Sequence, residues 1–503
     1  MTIREVIEGS ARYSGGVALR DAGRAIRFHD LDREIERLDG IARSGQEGPG
    51  FVLGALLPNR VEYPLAYLAA FSYGYPIVPL SRGFPNETMA HVVREAGIST
   101  LLVDRSTEAA CRGFDRLCRV VSLDDPEPAR RARPFSGSAS PSTLASINYT
   151  SGTTGRVKGV MLSHRNYLAA CRNLLAGVGD LERAGQVLHV LPFNHSTAAL
   201  LLPALTLGLM TTVAECGQAA DVAEAAARFR PEVTILHPAM IGDLVDLAGQ
   251  DRGTAGKLSS LDTILYGSSP IGAARLKRAM EIFGPAFVQV YGMTEALPPV
   301  AVLDKQDHVR AAQDPDSRLL ASCGRPARGV EVRLADNDGR DAGPGKAGEI
   351  LVRGPNVMEG YLGMKEETER FLAGGWAHTG DMGRMDEGYL FLLGRKSSMI
   401  ERGGEIIFPL EIEKAVCSIE GVKECAVFNP LAGVASSPFC AVVLEEGCGG
   451  PEAVHRALEL RLPAGKMPGR IIVMEKLPRN VNGKLDRERL REPLARAGQG
   501  TKS

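Results

Sequence analysis

From residue 53 to residue 291 the chain alternates short apolar runs with segments of helical period, and this alternation admits few architectures. Residues 53–80, LGALLPNRVEYPLAYLAAFSYGYPIVPL, read as strand, turn, helix and strand: apolar side chains recur at helical spacing between Tyr63 and Tyr73, and Ile77 and Val78 form a short buried run. The pattern returns at 84–103, where a helix around Glu87–Glu95 leads into STLLVD, and continues through apolar runs at 186–192, 211–214, 233–236, 262–266 and 287–291. Strands alternating with helices predict parallel sheets with helices on their faces. From about residue 330 the character changes. EVRLADNDGRD reads as a hairpin turning at Asn337, Asp338 and Gly339, GEILVRG reads as another strand, and antiparallel structure, a small barrel, is expected over 325–395. Beyond Gly394 the spacing predicts a compact α+β region, with helices at 409–418 and 452–461 and strands near 422–428, 439–444 and 470–474.

Composition narrows the function classes. With 503 residues the chain has room for two to four domains or subdomains. The formal net charge of −1 gives no global attraction to nucleic acid or to an anionic membrane surface. Nine cysteines occur without a C-x-x-C pair, the usage of reduced cytoplasmic thiols rather than of a disulfide framework or a zinc site. The N-terminus, MTIREVIEGSARYSGG, lacks the apolar core of a secretory signal. The most apolar stretch, residues 198–214, contains Pro203, Gly208 and three threonines and falls short of a spanning length, so a buried helix and strand are expected there rather than a membrane span. Residues 123–143 are rich in proline, serine and arginine and read as a loop, and the last dozen residues read as a frayed polar tail.

That loop feeds YTSGTTGRVKG, residues 149–159, which carries three glycines, three threonines and a serine and ends on the cations Arg156 and Lys158. Apolar sequence leads in (Leu144, Ile147, Tyr149) and out (Val160, Met161, Leu162), so the polar run is expected between two strands. Main-chain N–H groups of a glycine-rich turn can point at an anion because no side chain blocks the approach. Hydroxyls of Thr150, Ser151, Thr153 and Thr154 add donors and Lys158 adds charge. The sum is a polyphosphate cradle, although the run does not match the G-x-x-x-x-G-K-[ST] pattern. A solvated loop is the plain competing reading of such a run taken alone.

The run TSGTTGRVKG resembles the signature of the adenylate-forming enzymes: acyl-CoA synthetases, luciferases of the firefly type and the adenylation domains of peptide synthetases. YGMTE at 291–295, HTGD at 378–381, GRKSSMIERGGEIIFPLEIE at 394–413 and PRNVNGKLDR at 478–487 fall in the family's order and spacing, as do LPNRVEY, GRPARGVEV and GEILVRGPNVMEGYLG, and the resemblance runs over roughly residues 15–490. It implies an α/β protein with a large N-terminal domain of stacked βαβ sheets plus a small β-barrel, and a smaller, mobile α+β C-terminal domain. The implied boundaries are 1–394 for the adenylation (AMP-binding) domain, 395–397 for a hinge, and 398–503 for the C-terminal domain carrying a catalytic lysine. It also implies a two-step reaction: ATP-dependent formation of an acyl-adenylate, then transfer of the acyl group to a thiol.

The resemblance distributes roles over this chain. Thr150, Ser151, Gly152, Thr153, Thr154, Gly155 and Lys158 would hold the β- and γ-phosphates. Thr294 would bond the α-phosphate, and Glu295 would ligate Mg²⁺, which takes few carboxylates together with phosphate oxygens. A helix N-terminal cap is the plain reading of Thr294-Glu295. Tyr291 and Gly292 would pack against the adenine, with Gly267, Ser268, Ser269 and Pro270 on its other side. Asp381 would accept both ribose hydroxyls, with Arg395 beside it; a turn-forming Asp is the plain alternative. Lys484, read alone as a surface lysine after an Asn-Gly turn, would reach the α-phosphate and the acyl carboxylate. In the second step Gly403 and Gly404 would let a pantetheine arm approach.

The acyl side is less specified. PFNHS at 192–196 puts His195 where amino-acid-activating domains carry an aspartate, which disfavours an α-amino acid; His195 either orients the carboxylate and gates the pocket or is a buried structural histidine. His237, Pro238, Ala239, Gly267 and Gly292 are further lining residues, and their small apolar character suits a hydrophobic acid, aryl or fatty. Ser397 stands where relatives carry a charged hinge residue, which puts the balance between the two conformations in question. The acceptor is CoA or the phosphopantetheine of a separate carrier protein; Arg402, Lys466 and Arg470 are candidate contacts for CoA phosphates. A luciferase-like oxygenase and an inactive nucleotide-binding module are the remaining readings. ATP, Mg²⁺ and CoA are the expected cofactors, the cytoplasm the expected location, and a homodimer is left open.

Overall fold

The computed structural model describes residues 2–45, 50–125, 139–151, 157–194, 196–251, 253–269, 271–314, 317–402, 405–429, 437–445, 447–479, 485–486 and 489–490. Two large sheets form the body. One has seven strands in the order Gly360–Tyr361, Val157–Ser163, Leu144–Ser151, Ile77–Pro79, Leu53–Ala55, Thr100–Val103 and Arg119–Ser122, parallel from Leu144–Ser151 onward. The other has nine: Arg325–Pro326, Ala296–Leu303, Phe287–Met293, Thr263–Gly267, Val233–Leu236, Gln186–His189, Met210–Val213, Val17–Arg20 and Ala25–Arg27. Its middle is parallel from Phe287–Met293 through Val17–Arg20, with antiparallel strands at both edges.

The expected strand–helix–strand over 53–80 is present, with the helix at Glu62–Tyr73. This helix is apolar around its circumference, as a helix without a solvent face must be. It buries every residue from Glu62 to Phe71, and its core joins side chains of both sheets, including Leu19, Leu53, Ile77 and Val213. The apolar stretch at 198–214 is the buried helix Leu201–Leu207 followed by the strand Met210–Val213, and no described helix is long and apolar enough to cross a membrane.

The region expected as a small barrel is hydrogen-bonded as an antiparallel four-stranded sheet, Glu331–Ala335, Gly348–Arg353, Ala377–Asp386 and Tyr389–Arg395. The predicted turn is there: Asp336 N donates to Arg340 O at 2.8 Å, and Gly339 takes the left-handed backbone (φ +77°) that a tight reversal requires.

The C-terminal region packs helices Pro409–Cys417 and Gly450–Glu459 on a three-stranded sheet of Val422–Phe428, Phe439–Leu444 and Arg470–Val473, around Ile400, Ile407, Ile412, Val416, Val442 and Leu458. Polar contacts join it to the body at two places. Lys423 Nζ lies 3.2 Å from Asp246 Oδ2 on the helix Pro238–Gln250. The half-buried Lys414 donates to the carbonyls of Ala321 (2.9 Å) and Leu392 (2.8 Å). The frayed-tail expectation for the last dozen residues falls outside the described residues.

Candidate active site

The glycine- and hydroxyl-rich run joins two antiparallel strands, as expected, with Thr150 opposite Lys158 and Ser151 opposite Val157. Gly152, Thr153, Thr154 and Gly155 lie outside the described residues. The outer edge of this hairpin receives the strand Gly360–Tyr361, in register Tyr361 to Val160, with Leu362 N donating to Gly159 O at 2.8 Å. Because strand neighbours alternate faces, Lys158 and Val160 share one face, and Tyr361 is brought beside Lys158. The Lys158 ammonium sits 5.2 Å from the Tyr361 ring centroid and ion-pairs with Glu367 on the helix Lys365–Phe371. The Tyr361 hydroxyl donates to Glu295 Oε1 at 3.0 Å. Burial, then the neighbouring Glu295 carboxylate, raises the phenol well above its usual pKa, so it remains a donor. Met358 N donates to Glu295 O at 2.9 Å, so the segment after Asn356 stitches the hairpin to the Thr294–Glu295 turn.

Thr294 and Glu295 cap no helix. They turn the chain between the antiparallel strands Phe287–Met293 and Ala296–Leu303. The helix-cap reading fails because a Thr-Glu pair is locally compatible with either device, and strand pairing decides between them. Gly292 and Gly267 are both positions of close approach. A Cβ on Gly292 would lie 2.7 Å from Pro298 Cβ, and one on Gly267 would lie 2.2 Å from the Val290 carbonyl oxygen. In the Gly267 case the obstacle is backbone of the paired strand, which cannot swing away. Gly267→Ala is therefore expected to force the strands apart, costing about 1–3 kcal/mol and raising the Kd for adenine nucleotides; an unchanged melting temperature and Kd would refute the assignment. Ser268 follows with φ +67°, a strained conformation for a residue with a Cβ, and its Oγ lies 3.2 Å from Nδ1 of His237, directly before the helix Pro238–Gln250. Ser269 is half-buried beside it, and Pro270 is outside the described residues.

Asp381 lies in the strand Ala377–Asp386 and is 5% exposed. Its Oδ2 accepts from the Tyr291 hydroxyl at 2.6 Å, and its Oδ1 lies 2.7 Å from Arg395 Nε. Arg395 Nη1 also donates to Thr379 O at 3.1 Å, and Thr379 Oγ1 accepts from Asp381 N at 3.0 Å. Gly380 (φ +69°) makes the bend that folds this group together. Burial, then Asp381, raises the Tyr291 phenol well above its usual pKa, so Tyr291 is a neutral donor that orients the carboxylate.

The structure thus gathers Tyr291, Asp381 and Arg395 in one hydrogen-bonded group and Lys158 and Glu295 around Tyr361, with Gly267, Ser268 and Gly292 at the ends of the two adjoining strands. His195, Gly403, Gly404 and Lys484 lie outside the described residues. Their described neighbours are informative in two cases. Arg402 pairs with Glu405, and Arg479 bridges Leu485. Ser397 is exposed in the short turn Lys396–Ser398. Tyr361 and Glu367 were not singled out from the sequence. Nothing local marks them, because their place follows from a strand pairing about two hundred residues distant in the chain.

The donor set fits a magnesium nucleotide. A buried carboxylate held by two donors offers acceptors to a diol, and a single hard oxygen ligand at Glu295 is what Mg²⁺ takes when phosphate oxygens complete its shell. Among the described residues no three His, Cys, Asp or Glu side chains converge into a protein-only metal cage.

The family described as AMP-binding enzyme matches residues 7–362, and the one described as AMP-binding enzyme C-terminal domain matches residues 411–484. A feruloyl-CoA synthase of Amycolatopsis sp is 32% identical over 480 residues, covering 93% of this chain and 94% of that protein. Amide bond synthetase McbA from Marinactinospora thermotolerans superposes with a TM-score of 0.85 at 26% identity, covering 98% of this chain and 99% of that one. O-succinylbenzoate coenzyme A synthetase (MenE) from Bacillus subtilis, in complex with AMP, superposes with a TM-score of 0.82 at 25% identity, over 96% of this chain and 97% of that one.

Proposed function

This chain belongs to the AMP-binding enzyme family, and we propose that it is an AMP-forming acid–thiol ligase that activates a hydrophobic carboxylic acid with ATP and passes the acyl group to CoA. The observation that carries the reading is the hydrogen-bonded group of Tyr291, Asp381 and Arg395 beside Glu295 and Lys158. These contacts support a ribose acceptor at Asp381, a metal ligand at Glu295 and a phosphate cation at Lys158.

The first step joins two anions, a carboxylate and the α-phosphate, so the residues must neutralise charge and hold attack in line. Asp381 fixes the ribose, with Tyr291 and Arg395 setting the direction of its lone pairs. Thr294 bonds the α-phosphate, and the hairpin residues Thr150 to Gly155 with Lys158 hold the departing pyrophosphate. Glu295 would hold Mg²⁺, which when bound would supply charge neutralisation to the phosphates. Lys484 brings a cation to the reacting phosphorus. In the second step the C-terminal domain, turning about 395–397, withdraws Lys484 and presents Gly403-Gly404 to the thiol.

Support for the acid class is the likeness to a feruloyl-CoA synthase together with a histidine, not a carboxylate, at position 195. The proposal includes a cytoplasmic site of action, where ATP and CoA are held. The test is ATP–pyrophosphate exchange over a panel of aryl, fatty and amino acids, followed by transfer assays with free CoA, a phosphopantetheinylated carrier protein and simple amines. Exchange with an aryl or fatty acid and product with CoA are expected. Exchange only with amino acids, or product only with the carrier or an amine, overturns the corresponding half of the reading.

A further inference from the structure

Lys158, the cation assigned to the pyrophosphate, is engaged in this structure by a carboxylate. Glu367 ion-pairs with it, and the Tyr361 ring covers its other side. Both partners are only partly exposed, 19% for the Lys158 side chain and 28% for that of Glu367, so the pair is more shielded from water than an ordinary surface contact. Phosphate oxygens and this carboxylate want the same ammonium, and two anions cannot share it closely without repulsion. Glu367 has somewhere else to go. Arg370 lies three residues further along the same helical face, with Nη2 3.9 Å from Glu367 Oε1.

Resting on the ATP-dependent reading above, we infer that Glu367 is a positioning residue: it takes the place of phosphate on Lys158 and holds the ammonium over Tyr361, and on nucleotide binding it yields Lys158 to the β- and γ-phosphates and moves to Arg370. The device gives the site a threshold, since any ligand that cannot displace Glu367 does not engage Lys158. It discriminates by polyphosphate content. ATP and pyrophosphate compete with Glu367; AMP, which lacks the β- and γ-phosphates, does not.

The experiment is calorimetric titration of the full chain with Mg-ATP, Mg-pyrophosphate and AMP. Glu367→Gln is expected to tighten ATP and pyrophosphate about fivefold, the size of a partly exposed ion pair, with AMP affinity unchanged. In a Lys158→Gln background the same substitution is expected to change none of the three. Arg370→Gln, at an exposed position, is a second handle should Glu367→Gln fold poorly. It removes the receiving cation and is expected to weaken ATP about two- to threefold, again sparing AMP. Equal ATP affinity in wild type and Glu367→Gln, equal tightening of AMP, or persistence of the effect without Lys158 overturns the inference while leaving the ligase reading intact. A wild-type chain that does not bind ATP at all removes both.

Discussion

Lys484→Ala is expected to slow acyl-adenylate formation by about two to three orders of magnitude while leaving ATP affinity within a few fold of wild type. The size follows from the loss of one preorganised donor aimed at charge that develops only in the transition state, which typically costs about 10²–10³ in rate. The described residues flanking 480–484 are firmly held. Arg479 and Leu485 pair with each other, Asp486 N donates to Pro478 O at 2.9 Å, and Arg479 Nη2 reaches Glu424 Oε1 at 2.6 Å. Leu477 and Leu485 pack against the C-terminal sheet at Phe428 and Ala441. Truncation to alanine removes the cation without disturbing those contacts, so a fall in rate reports chemistry rather than folding. The checking measurement is ATP–pyrophosphate exchange together with thioester formation from a pre-formed acyl-adenylate. Exchange collapses and thioester formation from the adenylate persists if the lysine serves only the first step. Exchange within tenfold of wild type would remove Lys484 from the catalytic role.

The second large effect is on stability in acid. His189 and His164 are each fully buried, and neither ring has a hydrogen-bond partner. His189 ends the strand Gln186–His189 with its ring 4.8 Å from that of Phe193, and His164 opens the helix His164–Gly177 with its ring 5.8 Å from Phe71. Burial without a partner lowers both pKa values from 6.5, to about 3 for His189 and about 4 for His164. In the unfolded chain each takes up a proton near its ordinary pKa; in the folded chain it does not. The native state is therefore fully favoured by these groups above pH 6.5 and loses their contribution as pH falls from 6.5 toward 4. At about 1.4 kcal/mol per pH unit for each ring, the pair withdraws roughly 6 kcal/mol by pH 4. Urea midpoints measured between pH 7 and pH 4 should fall much more steeply for wild type than for His189→Phe/His164→Gln. Parallel profiles would show that these rings are protonated in the folded chain or do not govern acid unfolding.

Much of the architecture could be read before any coordinates, because parallel strands buried on both faces leave continuous apolar runs that are hard to mistake. The strand–helix–strand over 53–80, the helix and strand hidden in 198–214, and the strand 439–444 are of this kind. The nine-stranded sheet's edge was not legible. Val17–Arg20 and Ala25–Arg27 join it through Thr211 and Thr212, a pairing across nearly two hundred residues that leaves no local trace. Ala296–Leu303 pairs on both sides although Pro298 and Pro299 argue locally against a strand. In the site, residue types and their order along the chain were legible, whereas contacts were not. Asp381 with Tyr291 and Lys158 with Tyr361 and Glu367 depend on which strands become neighbours, and only the fold decides that.

Lys414 carries a last implication. A lysine ammonium whose named donors go to two main-chain oxygens of the opposite lobe, with its pKa lowered chiefly by burial, has given up hydration for neutral acceptors. Parting the lobes returns it to bulk water, where it is better solvated, and this rebate offsets much of the attraction lost along the joint. A contact of this kind therefore opposes separation of the two regions less than its two short hydrogen bonds suggest.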